Sequence, residues 1–144
     1  MWFSKKEADK SPDKAPKGQV TTKAVGDAAE SIALAHLQKA GLILLDTNYR
    51  TPGRGGGEID LIMKDTDGTL VFVEVRQRTN QSHGGAGASI SAVKQKRIVF
   101  AARTYLMRLK SLPPCRFDVV LIHGGLGADE APEIEWLRSA FDAF

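Results

Sequence analysis

The chain has 144 residues, 42% of them hydrophobic and 26% charged, with a formal net charge of +3 and a single cysteine. This length suits one domain with a hydrophobic core and excludes two domains of ordinary size. No apolar run approaches the roughly 20 residues of a membrane helix, and the start lacks the apolar segment of about 7–15 residues typical of a signal peptide. We therefore expect no association with membranes. Because Cys115 has no partner for an internal disulfide, we also expect a cytoplasmic protein.

The charges are segregated along the chain. Residues 1–24 hold six lysines and three acids without any periodicity, which predicts a disordered basic tail before a domain at residues 25–144. Residues 76–110 contain eight basic residues and no acid, whereas residues 58–74 contain five acids. This division suits a polyanionic ligand that must also meet a metal ion. On charge alone, a solvated helix face is the simpler interpretation.

The first predicted element is a helix over residues 25–40, which ends at Gly41. Its apolar residues recur at helical spacing and share one broad face, where His36 is expected to pack. Glu30 lies at the edge of that face, so its carboxylate is either half-solvated or held for a purpose.

A first strand is expected over residues 42–45 and around residues 48–50, followed by a glycine-rich loop at residues 51–57. The loop lacks the Lys-Ser/Thr ending of a P-loop and no helix follows it, so we do not interpret it as a nucleotide-binding loop. The remaining predicted elements are strands at 58–64 and 70–77, a helix at 91–110, and strands at 117–122 and 134–137. Residues 79–90, rich in Gly and Ser, are predicted to be mobile.

The predicted order of elements is α-β-β-β-α-β-β. Pro113 and Pro114 prevent the second helix from continuing, and its inward face is expected to include Ile98, Tyr105 and Leu109. A single mixed sheet flanked by two helices buries the apolar faces of both helices. We therefore predict an α/β domain of two or three layers.

The hairpin at residues 58–77 has a register that its turn predicts. A three-residue loop with Gly68 in the left-handed conformation suits a type I turn followed by a bulge. Directly opposed residues then point to the same face, with Cβ atoms about 4.5–5.5 Å apart. The predicted pairs are Asp65 with Thr69, Asp60 with Glu74, and Glu58 with Arg76.

One face of this hairpin is predicted to be apolar throughout, and the other is apolar near the turn and charged at its far end. The first face holds Ile59, Leu61, Met63, Val71, Val73 and Val75, and the apolar part of the second holds Ile62, Leu70 and Phe72.

Asp60 and Glu74 therefore form a predicted pair of facing carboxylates. Two such groups repel each other by up to about 1 kcal/mol. A divalent cation between them removes this repulsion, and Mg²⁺ is often held by one or two carboxylates together with water and substrate phosphate. The hairpin alone is equally consistent with a metal site and with an exposed sheet end whose surface charges are partly neutralised by Arg76. A register slip of one residue would separate the two acids onto opposite faces.

Several segments, in this order along the chain, closely resemble the small, mostly uncharacterised bacterial YraN family. The most specific are GEIDLI at residues 57–62 and VFVEVRQR at residues 71–78. The resemblance covers residues 25–141 and also includes 26–30, 48–50, 94–97, 116–120 and 136–141. That family is grouped with restriction-endonuclease-like and Holliday-junction-resolvase-like nucleases, so the resemblance implies a restriction-endonuclease-like core.

By this resemblance, Asp60 and Glu74 would bind Mg²⁺ or Mn²⁺ and act in catalysis, with Glu30 as an additional metal ligand. Arg76 stands where the superfamily places a lysine. Arginine stays protonated and presents a planar fork, whereas lysine is a compact charge that can lose a proton. Arg76 would then either stabilise the reacting phosphate or lock Glu58 or Glu74 in an ion pair.

A lysine from elsewhere is an alternative. Lys94 projects on the inward side at the start of the second helix, and we hypothesise that it points toward the acidic pair as a catalytic group. Other basic residues are expected to contact phosphates or water; the candidates for nucleic-acid binding are Arg50, Arg78, Lys96 and Arg97. The apolar surface of the second helix also suits a homodimer, which would fit a two-fold junction substrate.

Three functions are consistent with these observations. The first is a Mg²⁺- or Mn²⁺-dependent nuclease that hydrolyses nucleic-acid phosphodiester bonds, with DNA, including branched DNA, as the expected partner. The second is a nucleic-acid-binding module whose active site is degenerate because Arg76 replaces the expected lysine. The third is a protein-interaction domain in which the acids are ordinary surface residues.

Overall fold

Strands and helices follow one another in the predicted order in the computed structural model, which describes residues 22–53, 56–78, 90–124 and 131–142. Most of the predicted tail, residues 1–21, and nearly all of the Gly- and Ser-rich segment 79–90 lie outside the described residues. The elements are α1 (Thr22–Lys39), β1 (Ile43–Arg50), β2 (Glu58–Lys64), β3 (Leu70–Arg78), α2 (Ala92–Leu106), β4 (Cys115–His123) and β5 (Glu133–Phe141).

The five strands form one mixed sheet with the spatial order β1-β2-β3-β4-β5. Neighbouring strands are antiparallel except for β3 and β4, which are parallel. Parallel neighbours cannot be joined by a tight hairpin. Helix α2 therefore lies in the connection between them, and the chain forms the α/β fold that the element order predicts.

The two helices cover opposite faces of the sheet. Helix α1 buries Ala29, Ala33 and Leu37 against one apolar cluster, whose strand members include Leu61, Met63, Val71, Val73, Val120 and Ile122. Helix α2 buries Ile98, Ala101, Ala102, Tyr105 and Leu106 against a second cluster, whose strand members include Ile62, Phe72, Phe117, Val119 and Leu121. The sheet is thus the middle layer of three. Within the described residues, neither helix is long and apolar enough to cross a membrane.

The largest differences from the predicted boundaries are at the start of α1, the end of α2 and the end of β5. Helix α1 begins at Thr22, inside the predicted tail. Helix α2 ends at Leu106 rather than at residue 110, because the chain continues in tight turns such as the bond from the Leu109 amide to the Leu106 carbonyl. Leu109 is consequently 39% exposed, so its predicted inward position was wrong.

The last strand is longer than predicted, since β5 runs on to Phe141 and pairs that residue with Phe117. A bulge opposite residues 117–119 allows this extension, and Ser139 adopts a left-handed φ of +50° within it.

Candidate active site

The hairpin between β2 and β3 has the predicted turn and register. The Asp65 amide donates to the Thr69 carbonyl at 2.9 Å, and Gly68 has a φ of +92°. That conformation is accessible to glycine at little cost. The strand pairs run from Lys64 with Leu70 to Leu61 with Val73.

Beyond the last of these pairs the strands open, and Asp60 lies at the opening. In a continued ladder the Val75 amide would bond to the Ile59 carbonyl. The amide donates instead to Asp60 Oδ2 at 2.8 Å. Ile59 packs in the cluster on the α2 side, so its predicted position on the face of Leu61 was wrong. The opening interrupts the strict alternation of faces on which that prediction depended.

Glu74 is the second member of the acidic pair and is buried, with 8% of its side chain exposed. Burial, followed by the charge of Asp60, raises the pKa of Glu74 to about 7. Burial also raises the pKa of Asp60, although the bond from the Val75 amide works against that rise. The two carboxyl groups hydrogen-bond to each other. Burial and the facing charge thus favour a proton on the pair.

Lys94 reaches this pair from α2. Its Nζ lies 3.5 Å from Glu74 Oε2, and its charge lowers the pKa values of both acids against the larger effect of burial. Ser91 caps the helix by accepting a hydrogen bond from the Lys94 amide at 3.1 Å, which fixes the first turn beside the sheet. The hypothesis that Lys94 points toward the acidic pair is thus confirmed in its geometry.

Arg76 follows Glu74 by two residues on β3 and is half-buried. Its charge acts on Glu74 by lowering that pKa, with a smaller effect than Lys94. Within the described residues, the two neighbouring acids form ion pairs with other bases. Glu74 pairs with Lys94 at 3.5 Å, and Glu58 pairs with Arg50 at 3.6 Å. Arg76 therefore does not form the ion pair with Glu58 or Glu74 that was one of the two alternatives predicted for it.

Glu30 lies on α1, on the other side of the sheet. Burial and the charge of Asp60 raise the pKa of Glu30, whereas a hydrogen bond from the Asn48 side chain lowers it. Asn48 has a left-handed φ of +50°, a strained conformation for a residue with a side chain. Glu30 is thus within electrostatic range of Asp60, with Asn48 as its hydrogen-bond partner.

The predicted basic contacts divide into two groups. Arg50 and Arg97 line a pocket of about 350 Å³ together with Lys94 and Glu58. Lys96 lines a different cavity beside Phe100 and Arg103, and Arg78 lies at the end of β3 outside the pocket lining. The structure therefore brings Arg50, Arg97 and Lys94 together and leaves Lys96 and Arg78 apart from them.

The loop stem beside this pocket escaped the sequence analysis. The Gly57 amide donates to Thr51 Oγ1 at 2.8 Å, and the Thr51 amide donates to the Gly57 carbonyl at 3.1 Å. A Cβ on Gly57 would lie 1.9 Å from the Arg97 carbonyl oxygen, so only glycine allows the stem to pack against α2. The TPG…GG composition suggested a loop but gave no indication of this helix contact.

A buried acid on β4, opposite Val73 of β3, was also missed. Asp118 is fully buried and accepts four hydrogen bonds, two from Arg116 Nε and one each from the Trp136 indole and the Ser139 amide. Arg116 also pairs with Asp65 at 2.9 Å. An aspartate inside the apolar segment FDVVLI was the available signal, because such an acid needs buried partners.

The donor set was compared with the metal that the sequence prediction implies. No group of three or more His, Cys, Asp or Glu side chains suited to a metal ion occurs within the described parts of the chain. Two carboxylates satisfy Mg²⁺ or Mn²⁺ when water and substrate phosphate supply the other ligands. Asp60 and Glu74 fit that requirement because their carboxyl groups lie together in one buried site.

Comparison with known proteins gives the family. The model of Uncharacterised protein family UPF0102 matches residues 29–122. A UPF0102 protein of Polaromonas naphthalenivorans (strain CJ2) is 66% identical over 152 residues, with 99% of each chain covered. One from Albidiferax ferrireducens is 67% identical across 85% of this chain and 91% of the relative, and one from Cupriavidus taiwanensis is 54% identical across 82% of both. Their names state no activity. The chain belongs to the uncharacterised protein family UPF0102.

Proposed function

We propose that the protein is a metal-dependent nuclease that hydrolyses nucleic-acid phosphodiester bonds with Asp60 and Glu74 as its metal ligands. The observation that carries the proposal is the buried carboxyl pair: Asp60 accepts a bond from the Val75 amide, and Lys94 places its amine 3.5 Å from Glu74. Burial and the charge of Asp60 raise the pKa of Glu74 to about 7, a shift that a solvent-exposed pair would not produce. Mg²⁺ and Mn²⁺ suit these oxygen ligands.

The chain's own residues supply the rest of the chemistry. A bound divalent cation acidifies a coordinated water and neutralises charge on the reacting phosphate. Lys94 places an ammonium 3.5 Å from Glu74, where it can steer a water and stabilise negative charge. In this proposal Lys94 takes the role of the lysine that the family resemblance leads one to expect at position 76.

Arg76 and Glu30 have supporting roles in this account. Arg76 remains charged and gives the reacting phosphate a second cation on the same strand as Glu74. Glu30, held by Asn48, adds negative charge near Asp60 and strengthens the attraction of the site for a cation. Glu30 is proposed to act on the metal through its charge or through a bridging water.

A cleavage assay tests the proposal. Labelled linear, single-stranded and four-way-junction DNA are incubated with Mn²⁺ or with a chelator. We expect cleavage by the wild type only with the metal, and a loss of about 100-fold or more in rate for Lys94→Gln. Lys64→Gln removes the same charge from an exposed site near the turn of the hairpin and should leave the rate unchanged. Equal rates in Lys94→Gln and Lys64→Gln would overturn the role of Lys94.

The degenerate alternative is supported by one observation, the arginine at position 76. This alternative predicts that Arg76→Lys gains a cleavage activity that the wild type lacks. If the wild type and Lys94→Gln are both inactive and Arg76→Lys cleaves DNA, the natural protein is a nucleic-acid-binding module that has lost its catalyst. If the wild type cleaves, Arg76 is compatible with activity and that alternative is eliminated.

A further inference from the structure

We infer that the pocket beside the acidic pair is a subsite for the phosphodiester next to the one being hydrolysed. This inference rests on the proposed function. The pocket has a volume of about 350 Å³, and its charged lining consists of Arg50, Lys94 and Arg97 against the single carboxylate Glu58. Three cations around one acid give a site that attracts an anion.

Lys94 joins the pocket to the catalytic pair. Its side chain lines the pocket, and its amine lies 3.5 Å from Glu74 Oε2. Glu58 provides a second link, since it lines the pocket and lies two residues before Asp60 on β2. A strand of nucleic acid carries one charge for every roughly 3.4 Å of its axis in a duplex. A strand with one phosphate at the pair must therefore place another nearby, and this pocket is the adjoining cationic space.

The pocket is built into the fold. Its floor includes Gly56 and Gly57, and the stem bonds between Gly57 and Thr51 hold that wall in place. Gly57 is pressed against the backbone of α2 at Arg97, the residue whose side chain lines the pocket. The loop stem therefore fixes the backbone at the end of β1, which carries Arg50, relative to α2, which carries Lys94 and Arg97.

Arg50 is available to a ligand despite its partner. Its side chain is 74% exposed, and its Nε lies 3.6 Å from Glu58 Oε2, at the long end of an ion pair. Such exposed pairs contribute little, about 0–1 kcal/mol. A phosphate can thus take over the guanidinium in bidentate geometry, with Glu58 left to solvent.

The test is the salt dependence of binding, measured with a chelator so that no strand is cut. Single-stranded DNA and RNA of one sequence are titrated by fluorescence anisotropy against the wild type and the double variant Arg50→Gln/Arg97→Gln. Loss of one phosphate contact lowers the slope of log K against log salt by about 0.7. The control Lys64→Gln/Lys110→Gln removes the same charge from exposed sites outside the pocket, so its slope should stay that of the wild type.

A second pair of variants tests the opposite change in affinity for nucleic acid. Glu58→Gln removes the one carboxylate from the pocket and is expected to tighten binding about two- to fivefold, whereas Glu133→Gln on β5 should not. An equal loss of slope for DNA and RNA identifies the phosphodiester as the recognised group. A loss confined to one of them would overturn a backbone subsite.

The outcomes separate this inference from the proposed function. If the wild type cleaves DNA but the pocket variant binds like its charge-matched control, the subsite is overturned and the nuclease proposal stands. If the pocket variant loses slope while the wild type never cleaves with any metal, the pocket stands as a phosphodiester-binding site and the nuclease proposal falls.

Discussion

Glu74 combines three conditions that rarely occur together on one carboxyl group: burial, a facing acid and a nearby ammonium. Burial and Asp60 raise its pKa, and Lys94 lowers it, with a result of about 7. In the proposed nuclease, a divalent ion would displace the proton from this carboxyl group near neutral pH. The same shift also makes the stability of the metal-free protein depend on pH.

The direction of that dependence follows from the raised pKa. Between pH 4.5 and about 7 the folded protein binds more protons at Glu74 than the unfolded chain does, so its free energy of unfolding falls as the pH rises. Glu74→Gln removes this titration. We expect the variant to gain about 1–3 kcal/mol relative to the wild type on going from pH 4.5 to pH 8 without metal.

Denaturant unfolding at the two pH values measures this gain. Glu133→Gln, an exposed acid on β5, is the control and should show no such change with pH. A gain for Glu74→Gln that is no larger than that of the control would mean that folding does not raise the pKa of Glu74.

The acidic pair itself was predictable from sequence because its register depends on a local turn. The turn at residues 66–68 sets the register as far as the pair of Leu61 with Val73, and counting one residue further predicts Asp60 opposite Glu74. The bond from the Val75 amide to Asp60 was not predictable, since it depends on how far the strands separate under tertiary packing. Lys94 was reachable as a hypothesis because helical spacing set its direction, but only the packing of α2 on the sheet fixes its distance.

At the scale of elements, α2 contributes most to the site. It is the crossover between two parallel strands, and its first turns carry both Lys94 and Arg97. Its start was predictable from Ser91 and its spacing, whereas its end was not, because the turns after Leu106 depend on tertiary contacts. The pocket was beyond prediction for a related reason: it forms only where the stem at Gly57 meets this helix.

Strands β4 and β5 are joined by the buried acid Asp118. Its four hydrogen bonds come from residues 2 to 21 positions away, so no local pattern reveals them. Asp118→Ala removes the acceptor of Arg116 Nε, of the Trp136 indole and of the Ser139 amide. We expect a loss of about 3–5 kcal/mol in the free energy of unfolding.

Chemical denaturation checks this value, with Glu133→Ala as the exposed control, for which a change within about 0.5 kcal/mol is expected. Should the two variants unfold at the same denaturant concentration, Asp118 does not anchor β5.

The whole molecule places its chemistry where the β2–β3 hairpin opens and both helices approach. Helix α1 brings Glu30 from one side of the sheet, and α2 brings Lys94 from the other. The element order and the mixed sheet were predictable from periodicity, since alternating and helical patterns are strong in this chain. The three-layer arrangement explains why residues far apart in sequence surround one acidic pair.

A calorimetric titration with Mn²⁺ at pH 8 tests the central claim most directly, that Asp60 and Glu74 together hold a divalent ion. We predict one ion per chain for the wild type, and binding weakened at least about tenfold in both Asp60→Asn and Glu74→Gln. When the titration is repeated at pH 7, binding to the wild type should release protons. Glu133→Gln should bind as the wild type does. Affinity unchanged in the two site variants, or no binding by the wild type, would contradict the account.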